Sequence, residues 1–199
     1  MAYSDFNLRR IETDFQLEIV EQQDLFSQIE ELKISDFLNK ILKQNVPLAQ
    51  ALSTEKARSE LIIINIFLEL KNQLNIGLFS GIDFTVDKDK GLNGFCDFLI
   101  SRSSEQFFLK APVIAAVEAK NENIVGGLGQ CVAEMIAARI FNEQEQSDIS
   151  KIYGVVTTGH AWKFLKLQEN SVFIDKEDYY IKTPDKIMGI LSEMVRQNA

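Results

Sequence analysis

Cysteine and histidine are scarce in this chain. Its two cysteines, Cys96 and Cys131, lie far apart with no Cys-x-x-Cys spacing, which excludes a disulfide framework and a cysteine zinc site. Both read as core thiols, since free cysteine behaves as a small hydrophobe. With His160 as the sole histidine, a His-metal finger is excluded, and a Ser-His-Asp triad would rest on one residue in the turn-like "TTGHAW". His160 therefore reads as a loop residue. No stretch approaches the roughly 18 apolar residues that span a bilayer. "MAYSDFNLRR" has no apolar segment behind its charges, so neither a secretory signal nor a membrane partner is expected, and the default compartment is the cytoplasm. Repeats, low-complexity segments and linkers are absent too. Also missing is an excess of positive charge: the formal net charge of -8 speaks against coating nucleic acid through bulk electrostatics. The deficit is uneven. Residues 1–55 hold 10 acidic and 5 basic side chains, a balance of -5, while the larger remainder stands at only -3. A local basic surface on that remainder is compatible with the count.

What is present is a chain of 199 residues with 46% hydrophobic content, enough to bury a proper core. Residues 1–199 read as one α/β domain with a mixed central sheet flanked by helices. In "DFQLEIVE", Phe15, Leu17 and Ile19 alternate with polar residues in the period of an edge strand. "ISDFLNKILKQN" has helical spacing with Ser35 or Asp36 as cap, and Pro47 is expected to break it. The segment 53–75 predicts a well-covered helix entered through Ser53 or Thr54, with Glu55 at the positive end of its dipole. From about residue 78 the period changes. "LFSGIDFTVD", "FCDFLISRS" and "VIAAVEAKN" read as three strands of an antiparallel meander. "ENIVGGLGQ" reads as a loop opening into the helix "CVAEMIAARIFNEQ", and "KIYGVVTTG" completes a right-handed βαβ crossover. "AWKFLKLQ" and "VFIDKEDYYI" read as two strands in hairpin fashion and "PDKIMGILSEMVRQ" as a helix, so that 166–199 is a C-terminal hairpin strand and helix. Residues 1–50 are thus an N-terminal strand and helix decorating a core at 54–165.

The residues that carry chemistry lie in two of those strands. Alternation places Ile114, Ala116, Glu118 and Lys120 on one face, and Asp97 sits in a run that is otherwise apolar from Phe95 to Ile100. A lone ionised carboxylate among aliphatic groups costs several kcal/mol, so such groups are paired, neutralised or bound to a metal. Asp97 and Glu118 together suit a divalent cation. Oxygen-only ligands select a hard ion such as Mg²⁺, or Mn²⁺, which keeps several waters and takes substrate phosphate oxygens. The Ala119 carbonyl, between the two functional side chains, is a further candidate ligand. Lys120 is placed to offset the charge and to reach a water or a phosphate oxygen. The chemistry implied is phosphodiester hydrolysis.

Asp97, then Glu118-Ala119-Lys120, on adjacent strands after a long helix and before a βαβ crossover, resemble the PD-(D/E)XK superfamily, the restriction endonuclease-like fold. The likeness covers roughly residues 54–165 and is closest to small bacterial domains of unassigned function and to the nuclease-like parts of restriction systems. It implies an Mg²⁺-dependent nuclease acting on nucleic acid, with DNA the expected substrate. In that resemblance Asp97 and Glu118 would be metal ligands and Lys120 would orient or activate the attacking water. Glu60 matches the place of an additional acidic ligand, and Gln130 the glutamine many members set beside the site. Cys96 stands where the usual proline precedes the aspartate.

Plainer readings compete for the same residues. Glu118 paired with Lys120 on an edge strand would need no metal, though it leaves Asp97 unexplained. Glu60 is spaced to pair with Lys56 one turn earlier, and Gln130 suits an exposed first-turn position. "GGLG" lacks both GxxxxGK[ST] and a complete GxGxxG, so a nucleotide cofactor is not expected. Trp162 and the 14 phenylalanines read as packing, Asp87 as turn chemistry, and Asp83 as unassigned. At the level of function, the rival is a non-catalytic member of the fold that serves as a binding or assembly module. A homodimer selective for strand junctions is a third reading.

Overall fold

The structure is a computed structural model and describes residues 1–197. Its frame is an open mixed sheet of eight strands. These are β1 (Glu18–Gln23), β2 (Gly77–Asp83), β3 (Phe95–Ser101), β4 (Val113–Ala119), β5 (Lys151–Thr157), β6 (Ala161–Gln168), β7 (Ser171–Asp175) and β8 (Tyr179–Tyr180). The order across the sheet is β1-β7-β6-β5-β4-β3-β2, with β8 beside β6. β2, β3 and β4 form the antiparallel meander, and β4 and β5 run parallel, joined by helix α5 (Ile124–Gln144). The strand at the N-terminal edge pairs in parallel with β7 of the same chain.

Apolar side chains on the two faces of the sheet build two cores. One gathers α2 (Asp36–Leu52), α4 (Ile64–Gln73) and α6 (Pro184–Arg196) through Leu38, Phe67 and Ile187. The other gathers α1 (Leu8–Phe15) and α5 through Ile11, Cys131 and Ile136. Residues 1–50 therefore contribute to both cores and to the sheet. Ser35 caps α2 by accepting from the Leu38 N–H, and the buried Glu69 of α4 accepts from the Ser35 N–H and hydroxyl at 2.8 and 2.9 Å. That contact locks one helix start against its neighbour.

Four expectations are corrected. Asp14 and Phe15 end a helix, Leu8–Phe15, instead of starting the strand, which begins at Glu18; Asn7 caps that helix and Leu8, Ile11 and Phe15 share its inner face. Pro47 lies inside α2 without breaking it; the missing N–H removes one bond from a 17-residue helix that is capped and packed along its length. The glycines of "GGLG" belong to α5, which begins at Ile124 with the Asn123 side chain accepting from the Gly126 N–H. Gly129 is needed there because a Cβ would meet Asn7 Cα at 2.3 Å. Finally, Phe37, Phe95, Phe107 and Phe108 are exposed, whereas Trp162 is fully buried as expected. α5 is long and apolar enough to cross a membrane by composition, yet it is mostly buried against the sheet.

The segment Glu55–Gln73 follows one helical path, α3 (Glu55–Arg58) running through a π-helical stretch at Ser59–Ile63 into α4. Such widened turns re-aim the side chains around them and frequently mark functional sites. Here the widened turn carries Glu60 and faces the end of β3.

Candidate active site

The site forms where the β3–β4 ladder gives out. Regular pairing stops at Phe98 with Val117. Beyond it, the Asp97 carboxylate Oδ2 accepts the Ala119 N–H at 2.7 Å, taking the place of a strand carbonyl. The alternation breaks at the same point: Cys96 packs in the α5-side core and Phe98 in the α4-side core. Asp97 is thereby held at a fork between strands. It lines a cavity of about 300 Å³ together with Glu55, Lys56, Ser59, Glu60, Ser80 and Ala119. Part of the cavity wall is thus the widened helical turn.

Glu118 is buried on β4, a central strand, so the edge-strand version of its pairing is corrected. It makes a short ion pair with Lys120, whose side chain keeps 25% exposure. The Lys120 stem has room because residue 127 is glycine: a Cβ there would meet Lys120 Cε at 3.0 Å. Its backbone is fixed by the Lys120 N–H donating to the Thr157 carbonyl of β5 at 2.8 Å.

Gln130 joins the group from α5. Its Nε2 donates to Glu118 Oε2 at 2.7 Å and to Glu134 Oε1 at 3.1 Å, and its Oε1 accepts from Lys120 Nζ at 3.2 Å. With two carboxylate acceptors on one side and an ammonium donor on the other, the amide has a single satisfactory orientation. Glu134 is a residue the sequence reading missed. It is fully buried, one helical turn after Gln130, and its Oε2 receives no donor. The available signal was a lone carboxylate in the apolar run "CVAEMIAA".

Charge in this cluster is under strain. Burial first, then the Asp97 charge, pushes Glu118 up to about 7, against the opposing pull of Lys120. Burial, then the Glu55 charge, raises Asp97, while the Ala119 N–H and Lys120 counteract. Burial first, then the Glu118 charge, raises Glu134 well above the ordinary carboxylate value, while the Gln130 amide counteracts. The ion pair with Glu118 raises Lys120 despite its partial burial, and Glu55 and Asp97 act in the same direction. Three raised carboxyls around one ammonium leave the site short of positive charge.

Of the residues singled out from sequence, Asp97, Glu118, Ala119, Lys120 and Gln130 come together. Glu60 reaches only the cavity rim, exposed and 3.7 Å from Lys56 as the helical spacing allowed. Glu55, read earlier only as a helix-dipole charge, lines the same cavity and acts on both Asp97 and Lys120. The donor set suits a hard cation: two carboxylates and a strand-end carbonyl, all oxygen, with Lys120 Nζ standing in as the cation on Glu118. No three Asp, Glu, His or Cys side chains converge as a metal cage among the described residues. A two-carboxylate magnesium site completed by water and phosphate does not require one. His160 lies in the bend between β5 and β6, outside the cluster.

Comparison with known proteins gives no match to a family model, to a curated protein or to a solved structure.

Proposed function

We propose that the protein is a metal-dependent nuclease of the PD-(D/E)XK type, hydrolysing phosphodiester bonds, with DNA as the preferred substrate and the cytoplasm as its setting. The observation that carries this reading is the convergence at one strand fork of Asp97, Glu118 and Lys120, two raised carboxyls and an ammonium, beside an open cavity. A scaffold has no use for that combination, because a buried carboxylate pair lowers stability unless something offsets its charge.

In this reading Asp97 and Glu118 would hold Mg²⁺ or Mn²⁺, with the Ala119 carbonyl beside them. The bound cation supplies charge neutralisation on the phosphoryl oxygens and lowers the pKa of a water. The chain's own residues do the rest. Lys120, partly exposed and flanked by Gln130, donates hydrogen bonds to the attacking water or to a non-bridging phosphate oxygen and so fixes the line of attack. Gln130 keeps Lys120 and Glu118 in register. Glu55 adds a further oxygen acceptor to the cavity that Asp97 lines, with Glu60 at its rim.

The rival reading, a non-catalytic binding module, draws on one observation: Lys120 and the Ala119 N–H already satisfy Glu118 and Asp97 without a metal. A panel of single-stranded, duplex, flapped and circular DNA and of RNA, with Mg²⁺ or Mn²⁺ against EDTA, separates the two. Nuclease chemistry predicts cleavage of at least one substrate that EDTA stops. Absence of cleavage across the whole panel would leave the binding module.

A further inference from the structure

The cavities on this molecule differ in charge. The one beside Asp97 carries Glu55 and Glu60, and three others carry Glu30, Asp36 or Glu69 among their lining residues. A groove of about 420 Å³ between α2 and the start of α6 has no carboxylate in its lining, although the chain's net charge is -8. Its walls are apolar at Leu42, Val46 and Pro47; its polar groups are Asn39, Lys43, Gln50, His160 and Lys182, with Gln50 Nε2 3.3 Å from His160 Nδ1. Lys43 and Lys182 are exposed and take part in no ion pair among the described residues. Apolar walls with cations at the rim suit a sugar-phosphate chain whose bases or sugars pack while its phosphates meet the lysines.

The sheet ties this groove to the reaction site. β5 ends at Thr157, which pairs with Ala119 and accepts the Lys120 N–H; His160 follows three residues later. Three residues of chain span at most about 10 Å, so His160 stays close to the strand end that fixes Lys120. The connection runs past Arg58, which donates to the Thr158 carbonyl at 3.4 Å and packs against Gly159. Arg58 in turn closes the short helix whose Glu55 and Lys56 line the Asp97 cavity.

Resting on the nuclease reading above, we infer that the Lys43–His160–Lys182 groove is the track for the nucleic-acid strand leading to Asp97 and Lys120. The acidic cavity then serves the cation and the groove serves the phosphates. An acidic protein thus needs only a short basic surface to hold its substrate.

The test measures binding of a labelled single strand and of the matching duplex in EDTA, across a salt series, with cleavage assayed in parallel in Mg²⁺. Lys43→Gln/Lys182→Gln is compared with wild type and with Arg102→Gln/Lys110→Gln, which makes the same charge change in the loop between β3 and β4. The groove pair is expected to weaken binding about tenfold and to lower the salt slope by about 1 to 2, with the control pair near wild type. The better-bound arm, strand or duplex, identifies which form the groove accepts. Wild type that binds and cuts while the groove pair does both equally well would overturn the inference and leave the nuclease reading standing. Wild type that neither binds nor cuts would remove both.

Discussion

Lys120→Ala is expected to lower metal-dependent cleavage by on the order of 10³-fold, the range for losing a group that acts directly on the attacking water. The reason lies in its position. Lys120 emerges one residue beyond β4, with its backbone fixed by Thr157 and its ammonium shared between Glu118 and Gln130. Its remaining donor capacity and partial exposure are what the substrate side can use. Removing one partner of a buried pair ordinarily costs about 3–5 kcal/mol, because a charge is left uncompensated. Here Glu118, already raised to about 7, takes up a proton instead, so the fold survives the substitution. Measuring kcat and Tm together for Lys120→Ala and Lys120→Met checks both statements. Cleavage at the wild-type rate would remove Lys120 from the chemistry.

The second large effect is on stability. Glu118, Asp97 and Glu134 are all raised in the folded state, so the native protein binds more protons than the unfolded chain, for Glu118 between about pH 4.5 and 7. The stability contributed by Glu118 is therefore full below that window and is lost as pH rises through it. For Glu118 alone the loss is on the order of 3 kcal/mol, or roughly 6–12 °C in Tm for a chain of this size. Glu118→Gln carries no such proton and flattens the slope. A divalent cation binds the deprotonated carboxylates, so Mn²⁺ is expected to raise Tm more at about pH 8 than at about pH 5. Thermal melts at the two pH values, with Mn²⁺ and with EDTA, read this directly. A metal-free protein that gains stability from pH 5 to 7 in step with Glu118→Gln would contradict the charge balance described for the site.

Much of this site was legible in the sequence because charges inside apolar strands are conspicuous. Asp97 between Cys96 and Phe98, and Glu118 at the end of an unbroken apolar run, stand out before any fold is known. The hydrogen bond that turns the Asp97 carboxylate to the Ala119 N–H was not legible, because the strand fork that allows it is a tertiary irregularity without a local signature. Glu134 escaped because its partner, Gln130, is also on α5, and a helix buried on nearly every face shows no clear stripe to place either one. Glu55 was visible only as a helix-start charge, since its neighbours at the cavity come from β2, β3 and β4. The first helix was hidden by a competing period: Phe15, Leu17 and Ile19 alternate, but Gln16 turns left-handed at φ 54° to separate helix from strand, a conformation with no glycine to announce it.

Titration of Mn²⁺ into wild type and Asp97→Asn by calorimetry, at about pH 8 where Glu118 is ionised, distinguishes a divalent site at Asp97 and Glu118 from a metal-free ion pair. An asparagine oxygen can still accept the Ala119 N–H, so the strand fork is retained while one charge is removed. Mn²⁺ is expected to bind wild type and to bind Asp97→Asn tenfold or more weakly, with closely similar melting temperatures in EDTA. Equal Mn²⁺ affinity in the two proteins, or no binding to either, would contradict a divalent site at Asp97 and Glu118.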